Sequence, residues 1–470
     1  MLFPTIEFAV FFALVFPVTW LLNDHNTAKK WFLVAVSYVF YAFWRADFTL
    51  ILLTSSVVNF ALALLIGRCR ERPARLALLW LGVAFNLGVL AAFKYYNFFA
   101  ASAMNLASVL GLRLDLPFFE VGLPIAISFL TFHALSYIID VYRRKLEPTR
   151  SLVDILLYIS FFPHLIAGPI VRATAFLEQT VRRADPKDIR LGMSVFLIVG
   201  GLFKKVIVAN YLATDFVDGV FRNPDEYSRL DLLLGMYAYA IEIYCDFSAY
   251  VDIAIGVANL LGYRFPQNFN QPYRALSVQD FWRRWHMTLS AWLRDYLYFP
   301  LGGSRGGTLA TYRNILITMG LGGLWHGANL TFVIWGLLHG AALVVERMLG
   351  LTGEGGRHRL PALAAWLITF HFVCLAWVFF RAPTFDVAQA YLGTLIAGGT
   401  ATGTSVTPLV AVMLVVGMLT QVVPNDWLER LEDFYDRASI AVKVAVPSAV
   451  ISLVAVASPG GVPPFIYFQF

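Results

Sequence analysis

Long apolar runs recur along the chain, and they constrain its fold more than any other feature. Clear examples are 5–22, 47–66, 121–141, 231–262 and 361–380. A helix needs about 20 apolar residues to cross the roughly 30 Å of membrane hydrocarbon, so several of these runs are long enough. Only 14% of the residues are charged, against about 25% in soluble domains. The pattern excludes a disordered chain, a fibrous repeat and an ordinary soluble enzyme, and it predicts an all-α polytopic membrane protein.

The number of membrane helices is less certain than their presence, because some runs, such as 31–44 and 311–325, are too short to cross the membrane unaided. We therefore expect about ten to twelve transmembrane helices, together with interfacial and re-entrant helices. The first run lacks a positively charged leader and a small-residue cleavage site, so it predicts a retained helix rather than a signal peptide. No internal repeat is apparent, which disfavours a transporter built from inverted repeats.

Basic loops indicate how the chain crosses the membrane. The segment 68–75 is the densest short basic cluster, so the positive-inside rule places it in the cytoplasm. Three apolar runs precede it, which predicts an extracytoplasmic N-terminus. The loop 347–359 is again basic, and counting three further runs from it predicts an extracytoplasmic C-terminus.

The remaining composition excludes other classes of site. Three cysteines stand singly in the sequence, so neither a disulfide framework nor a metal site is expected. The net charge of +6 comes from short clusters between apolar runs and does not indicate nucleic-acid binding.

The stretch 263–313 interrupts the apolar pattern with arginine beside tryptophan and tyrosine. One interpretation is an interfacial amphipathic segment, whose rings lie at the headgroup level. The other is a basic cytoplasmic vestibule for an anionic donor such as the phosphates of coenzyme A. In the second case, Trp282, Arg283 and Arg284 are candidates for substrate binding.

A glycine-rich stretch from 320 to 329 contains His326 and leads into an apolar helix that ends near Arg347. Thirteen residues at 1.5 Å per residue place His326 roughly 20 Å along the helix from Arg313. A histidine at membrane depth is costly and is therefore a functional candidate, although a hydrogen-bonded core histidine is the alternative. Trp325 and Asn329 flank it as candidates for substrate binding.

Several ordered motifs give the chain a resemblance to a known family. They are Ser37–Trp44, Phe161-Phe162-Pro163-His164-Leu165-Ile166-Ala167-Gly168-Pro169-Ile170, Asp246-Phe247-Ser248-Ala249-Tyr250-Val251-Asp252, 279–290 (which includes Trp282-Arg283-Arg284-Trp285-His286) and Leu324-Trp325-His326-Gly327. In these motifs the chain resembles the membrane-bound O-acyltransferase family. It is most similar to the bacterial branch of alginate O-acetyltransferase membrane subunits and D-alanyl transfer proteins of teichoic acids.

The resemblance implies a helical bundle in which cytoplasmic and outer funnels meet at a thin waist. It also implies that His326 is the catalytic histidine and His286 the second, often required, polar residue. We expect one integral-membrane domain spanning 1–470. Its expected parts are peripheral N-terminal helices (1–115), a catalytic core (about 120–350), C-terminal helices (360–457) and an extracytoplasmic aromatic tail (458–470).

Acyl transfer from a thioester to a hydroxyl requires a base for the hydroxyl proton. A neutral imidazole is suited to this near neutral pH, and burial among apolar residues favours the neutral form, so we assign His326 as general base. His286 orients the donor or polarises the thioester carbonyl, or else it is only an interfacial histidine. Asn329, one turn beyond His326, is a candidate to hold the imidazole or the oxyanion.

Other polar residues within apolar runs are expected to be structural. Glu242 and Asp246 share a helical face and are expected to pair with arginine. Lys204 and Lys205 are expected to snorkel at a helix end. The isolated thiol of Cys245 is expected to be inert. The remaining membrane histidines are expected to be core or interface residues; they are His133, His164, His339 and His371.

The C-terminal tail joins a Pro-Gly segment, 459–464, to an aromatic end, 465–470. Proline prevents a continuing helix, and so aromatic an end is expected to insert into an apolar environment. One possibility is an anchor in the outer aromatic belt. The other, implied by the resemblance, is that Tyr467 enters the outer funnel and accepts the acyl group as a phenyl ester.

The resemblance leads us to expect an inner-membrane O-acetyltransferase that uses cytoplasmic acetyl-coenzyme A and contains no bound cofactor. It implies a polysaccharide acceptor, such as alginate, and a separate extracytoplasmic acetyltransferase partner similar to SGNH hydrolases. The alternatives are a lipid or protein acyltransferase of the same family and a polysaccharide or lipid transporter.

Overall fold

The computed structural model describes residues 1–118, 122–351, 360–401 and 403–456. Every regular element within these ranges is helical and none is a β-strand, which confirms the all-α class. The chain divides into two compact units, Met1–Ile189 with Val257–Phe265, and Arg190–Gly256 with the described part of Pro266–Phe470. The predicted single domain of 1–470 remains a prediction. The predicted tail, including Tyr467, lies outside the described residues.

The first unit is built from nine α-helices in chain order. They are α1 (Ile6–Leu21), α2 (Asn26–Ala42), α3 (Thr49–Arg68), α4 (Arg72–Leu90), α5 (Tyr96–Val109), α6 (Ile127–Tyr142), α7 (Leu152–Ser160), α8 (Phe162–Leu165) and α9 (Ala173–Val181). A π-helical turn, Ala91–Tyr95, joins α4 to α5 without a break. Short 3-10 turns lie at Ala46–Phe48 and Pro186–Asp188.

The second unit contains the helices that position the candidate site. They are α10 (Leu191–Leu202), α11 (Asn210–Leu212), α12 (Asp218–Arg222), α13 (Arg229–Leu260, whose last turn belongs to the first unit), α14 (Val278–Trp282), α15 (Met287–Leu293), α16 (Thr308–His326), α17 (Leu330–Met348), α18 (Ala362–Arg381), α19 (Phe385–Ala397), α20 (Pro408–Leu419), α21 (Asn425–Arg437) and α22 (Ile440–Val456). Its π-helical turns are Phe203–Ala209, Ala213–Val217 and Arg294–Tyr298, and its 3-10 turns are Pro224–Glu226 and Pro272–Arg274.

Five helical stretches in the described ranges are long and apolar enough to cross a membrane: Ala46–Arg68, Arg72–Val109, Leu191–Arg222, Leu330–Met348 and Ala362–Arg381. Four shorter helices are similarly apolar: Ile6–Leu21, Ile127–Tyr142, Pro408–Leu419 and Ile440–Ser452. The protein is therefore a multi-pass membrane protein. The count of ten to twelve stays a prediction, because length and composition do not decide which shorter helices cross.

One predicted run is interrupted. The sequence favours a continuous apolar segment over 151–171, whereas α7 ends at Ser160 and only the four-residue α8 follows it. Pro163 stands within α8 and cannot donate a backbone hydrogen bond. Gly168 lies so close to His164 that a Cβ atom would collide with its Cα atom. The segment therefore turns inside the first unit instead of extending as one helix.

Helices α16 and α17 pack unusually closely, and glycine makes this possible. A Cβ atom on Gly323 would collide with the carbonyl oxygen of Phe332, and one on Gly336 would collide with the carbonyl oxygen of Met319. Small residues permit such backbone contact between membrane helices. The hairpin of α16 and α17 therefore has its separation set by these two glycines.

We predict that Gly323→Ala lowers the melting temperature of the detergent-solubilised protein. Overpacking of this kind costs roughly 1–3 kcal/mol, more than the roughly 0.5–1 kcal/mol that alanine contributes to a helix. Gly200→Ala is the matched control, because no atom lies within 4 Å of its added Cβ. Equal melting temperatures for the two variants would contradict the proposed close packing.

Candidate functional site

His326 is the last residue of α16, and its side chain is 3% exposed. The expectation that the glycine-rich stretch opens an apolar helix at this histidine is wrong: α16 ends here and α17 begins at Leu330. Aromatic rings surround the imidazole, with ring centroids at 4.9 Å for Trp325, 5.1 Å for Trp335 and 5.1 Å for Phe380. The predicted general base thus lies in a buried aromatic cage at a helix end.

Asn329 has a structural role in this geometry. It is the N-cap of α17, where its Oδ1 accepts the Thr331 backbone N–H at 3.1 Å. Its Nδ2 donates to the Pro383 carbonyl at 2.7 Å. Since backbone groups engage both ends of the amide, the expectation that Asn329 holds the imidazole or an oxyanion finds no support in these contacts.

His286 is fully buried between α14 and α15 and has a left-handed backbone with φ 42°. A non-glycine residue in this region is strained, and such strain is concentrated at functional sites. Its ring packs on Phe247 with centroids 4.8 Å apart. The interpretation as an interfacial histidine is therefore wrong, because the side chain is inside the protein.

Asn268 organises the turn that carries His286, and the sequence analysis gave it no role. Its Oδ1 lies 3.2 Å from the His286 Nδ1 and accepts the Thr288 backbone N–H at 3.0 Å and the Thr288 hydroxyl at 2.9 Å. Its own carbonyl accepts the Met287 N–H at 2.9 Å. An oxygen that accepts these bonds must also accept from His286, so Nδ1 carries the proton of the neutral ring. The Nε2 lone pair is then available, and Nε2 has no hydrogen-bond partner within the described residues.

Trp325 brings the two predicted catalytic histidines to one indole ring. Its centroid lies 4.9 Å from that of His326 and 6.2 Å from that of His286. Residues separated by 40 positions in the sequence thus share one buried cluster. Trp325 is buried itself at 5% exposure, so it forms part of the wall between the imidazoles.

A cavity of about 630 Å³ lies among α14, α15, α16, α17 and the π-helical turn after α15. Its cationic lining consists of Arg283, Arg294 and Arg347, and its apolar lining includes Trp282 and Met287. The predicted substrate-binding residues Trp282 and Arg283 are therefore on one cavity wall. Sequence analysis missed Arg294 and Arg347, which reach the cavity from separate elements.

Arg284 faces a second cavity of about 790 Å³, which Arg274 and Arg283 also line. Its Nε donates to the Asp280 Oδ1 at 3.0 Å, one helical turn away. The local ion pair takes up part of its donor capacity and directs it away from the first cavity. The predicted grouping of Arg284 with Trp282 and Arg283 is thus only partly reproduced.

The first cavity stops short of the histidines. Met319 lines it seven residues before His326 on α16, which corresponds to about 10 Å of helix. Trp282 connects the two regions, because its ring packs on Trp335 at 5.7 Å and Trp335 packs on His326 at 5.1 Å. A ligand in the cavity therefore has an aromatic wall between it and the candidate base.

The buried carboxylates of α13 pair with lysine, whereas arginine was expected. Lys205 Nζ lies 2.7 Å from the Asp246 Oδ1, and Lys204 Nζ lies 2.5 Å from the Asp252 Oδ2. Both lysines lie within the π-helical turn Phe203–Ala209 of a continuous helical stretch, so the predicted snorkelling at a helix end is wrong.

Other sequence candidates fall where a structural role was expected. His133 and His164 stack with centroids 4.5 Å apart in the first unit. His371 accepts or donates a hydrogen bond with the Tyr237 hydroxyl at 2.7 Å. Cys245 is a buried free thiol. His339 is also buried, and its contact with the cavity wall is described below.

Taken together, a multi-pass helical membrane protein with buried histidines beside a basic cavity fits a membrane acyltransferase. A model of the membrane-bound O-acyltransferase family matches residues 143–382. The chain belongs to this family and is an acyltransferase.

Three relatives show which members of the family the chain is similar to. It is 42% identical over 406 residues to the probable alginate O-acetylase AlgI of Pseudomonas aeruginosa, covering 85% of this chain and 76% of that protein. It is 39% identical over 392 residues to the peptidoglycan O-acetyltransferase of Helicobacter pylori, covering 77% and 73%. It is 28% identical over 277 residues to the teichoic acid D-alanyltransferase of Bacillus subtilis, covering 56% and 69%.

We predict that Asn268→Leu disrupts the turn at His286 more than Asn268→Asp does. Leucine leaves the buried Thr288 N–H and hydroxyl without their acceptor, at a cost of roughly 1–3 kcal/mol for each group, whereas aspartate keeps an oxygen there. The melting temperature and the rate of coenzyme A release are the measurements. Equal losses for both substitutions would show that the acceptor oxygen is unimportant.

We also predict that Lys205→Met is strongly destabilising and that Lys205→Met/Asp246→Leu recovers most of the loss. Removing one partner leaves a buried charge, at a cost of about 3–5 kcal/mol, while replacing both removes the charge as well. The exposed pair of Arg430 and Asp426, at 3.6 Å, provides the control through Arg430→Met. A double variant as unstable as the single one would contradict this prediction.

Proposed function

We propose that this acyltransferase moves acetyl from cytoplasmic acetyl-coenzyme A to an acceptor on the other side of the inner membrane, for O-acetylation of a polysaccharide. The observation that carries the proposal is the placement of His326. The imidazole is buried among aromatic rings at the end of the helix whose earlier residues line an arginine-rich cavity. Similarity to proteins named alginate O-acetylase and peptidoglycan O-acetyltransferase supports acetyl as the group transferred and a polysaccharide as the final acceptor.

Acetyl-coenzyme A is the donor whose chemistry fits the cavity. Its phosphates are anionic, and Arg283, Arg294 and Arg347 line the cavity from three different elements. Guanidinium groups bind phosphate through paired hydrogen bonds as well as through charge. The extended pantetheine arm then carries the thioester from these arginines towards Trp282 and Met287. The protein requires no bound cofactor, because the donor supplies the activated acyl group.

Each transfer step exchanges one bond for another. The acceptor hydroxyl oxygen attacks the thioester carbonyl carbon while His326 takes the hydroxyl proton. The C–O bond forms, the C–S bond breaks, and the proton passes from the imidazole to the departing thiolate. The products are an acetyl ester and the free thiol of coenzyme A, so no net proton is consumed.

His286 orients the donor in this mechanism. Because its Nδ1 donates to Asn268, the neutral ring presents a lone pair on Nε2 and accepts a hydrogen bond there. The pantetheine arm contains amide N–H groups that donate such a bond. A neutral His286 in this tautomer cannot polarise the thioester carbonyl, which needs a donor. Of the two roles suggested by sequence, orientation of the donor is therefore the one we propose.

The first acceptor on the outer side is the phenol of Tyr467. Nine residues separate Tyr467 from Ser458, and extended chain spans at most about 3.6 Å per residue, so the tail reaches roughly 30 Å into the protein. A phenyl ester has a transfer potential between those of a thioester and an alkyl ester, so both successive transfers are downhill. An extracytoplasmic partner similar to SGNH hydrolases then places the acetyl group on polysaccharide hydroxyls. Both termini are extracytoplasmic in this arrangement.

We predict that membranes incubated with isotopically labelled acetyl-coenzyme A yield a C-terminal peptide labelled at Tyr467. Tyr467→Phe lacks the acceptor oxygen and His326→Ala lacks the base, so the label is absent from both variants. The measurement is the intact mass and fragmentation of the peptide.

Other outcomes separate the parts of the proposal. Coenzyme A release without label on Tyr467 would show direct transfer to another acceptor and make the tail an anchor. Release with palmitoyl but not acetyl donor would identify a lipid or protein acyltransferase. No release with any donor, with the partner present, would favour a transporter.

A further inference from the structure

We propose that His339 is a positioning residue that fixes the indole of Trp282 as the inner wall of the donor cavity. It deepens, and rests on, the proposed binding of acetyl-coenzyme A in that cavity. His339 itself does not contact the donor in this proposal, since it is absent from the cavity lining. Its effect on donor binding passes through Trp282.

The contact joins residues from two helices, 57 positions apart in the sequence. The Trp282 Nε1–H donates to the His339 Nδ1 at 3.3 Å, and the two rings are edge-on with centroids 5.3 Å apart. Trp282 ends α14, whereas His339 lies in the middle of α17. The hydrogen bond therefore ties the short helix that bears Arg283 to the long membrane helix.

The chemistry of the pair defines the state of both rings. An indole N–H only donates, so His339 must accept on Nδ1, and a neutral imidazole then carries its proton on Nε2. His339 is 0% exposed and Trp282 is 9% exposed, so water has little access to either group. Removing the acceptor would leave a buried N–H without a partner, which favours reorientation of the indole.

The position of His339 on α17 links this hydrogen bond to the cavity. Leu343 and Arg347 follow it at intervals of four residues, on the same helical face, and both line the cavity. Trp335, one turn before His339, packs on the rings of His339 at 4.9 Å and His326 at 5.1 Å. One face of α17 thus runs from the cage of the candidate base to an arginine of the cavity, with His339 between them.

A double-mutant cycle with full-length protein tests the proposal. His339→Leu is expected to weaken coenzyme A binding by about 5–30-fold and to raise KM for acetyl-coenzyme A similarly, which corresponds to roughly 1–2 kcal/mol. It is expected to change kcat by less than threefold, because His326 keeps its own contacts. His339→Gln retains an acceptor and is expected to restore most of the affinity.

Trp282→Phe supplies the discriminating background, because phenylalanine has no N–H to be fixed. In that background His339→Leu is expected to change coenzyme A affinity by less than twofold. A separate readout, the indole N–H resonance assigned by its loss in Trp282→Phe, is expected to shift in His339→Leu whether or not donor is present.

The outcomes distinguish this inference from the proposed function. Equal fold-losses from His339→Leu in both backgrounds, or an unshifted indole resonance, would overturn the positioning role while leaving the donor cavity intact. A shifted resonance with no coenzyme A binding in any variant would show that the hydrogen bond exists but the cavity does not hold the donor, and would overturn both.

Discussion

The close contact of α16 and α17 at Gly323 and Gly336 is the constraint on which the candidate site depends. It brings the backbone of one helix against carbonyl oxygens of the other. Because His326 ends α16 and Trp335 lies on α17, the same contact places the indole 5.1 Å from the imidazole. A larger residue at either glycine would separate the candidate base from the ring that packs on it.

A second, polar constraint holds the other histidine. Asn268 accepts from the Thr288 backbone and side chain and fixes the proton of His286 on Nδ1. Apolar packing thus positions His326, whereas a hydrogen-bonded turn positions His286, and Trp325 contacts both rings. Buried polar networks of this kind specify one geometry only when each acceptor is present. The site accordingly combines a rigid helical hairpin with a short, strained turn.

Much of this organisation could be predicted from sequence, because apolar periodicity and a buried histidine are local signals. They gave the all-α membrane class and led to His326, and the motif containing His286 added the second histidine. The role of Asn329 could not be predicted, since its bond to Pro383 joins helices 54 positions apart. The lysine partners of Asp246 and Asp252 and the bond from Trp282 to His339 are likewise long-range contacts. Spacing within one helix carries no information about them.

The most direct test of the account is coenzyme A release by the purified protein with its partner present, using acetyl and palmitoyl donors. We predict release from acetyl-coenzyme A alone, and a decrease of roughly 10²–10⁴-fold in His326→Gln, because a positioned base contributes about that factor. His371→Gln, which changes a histidine outside the aromatic cage, is expected to retain activity. Undiminished release in His326→Gln would contradict the assignment of His326 as the base that drives acetyl transfer.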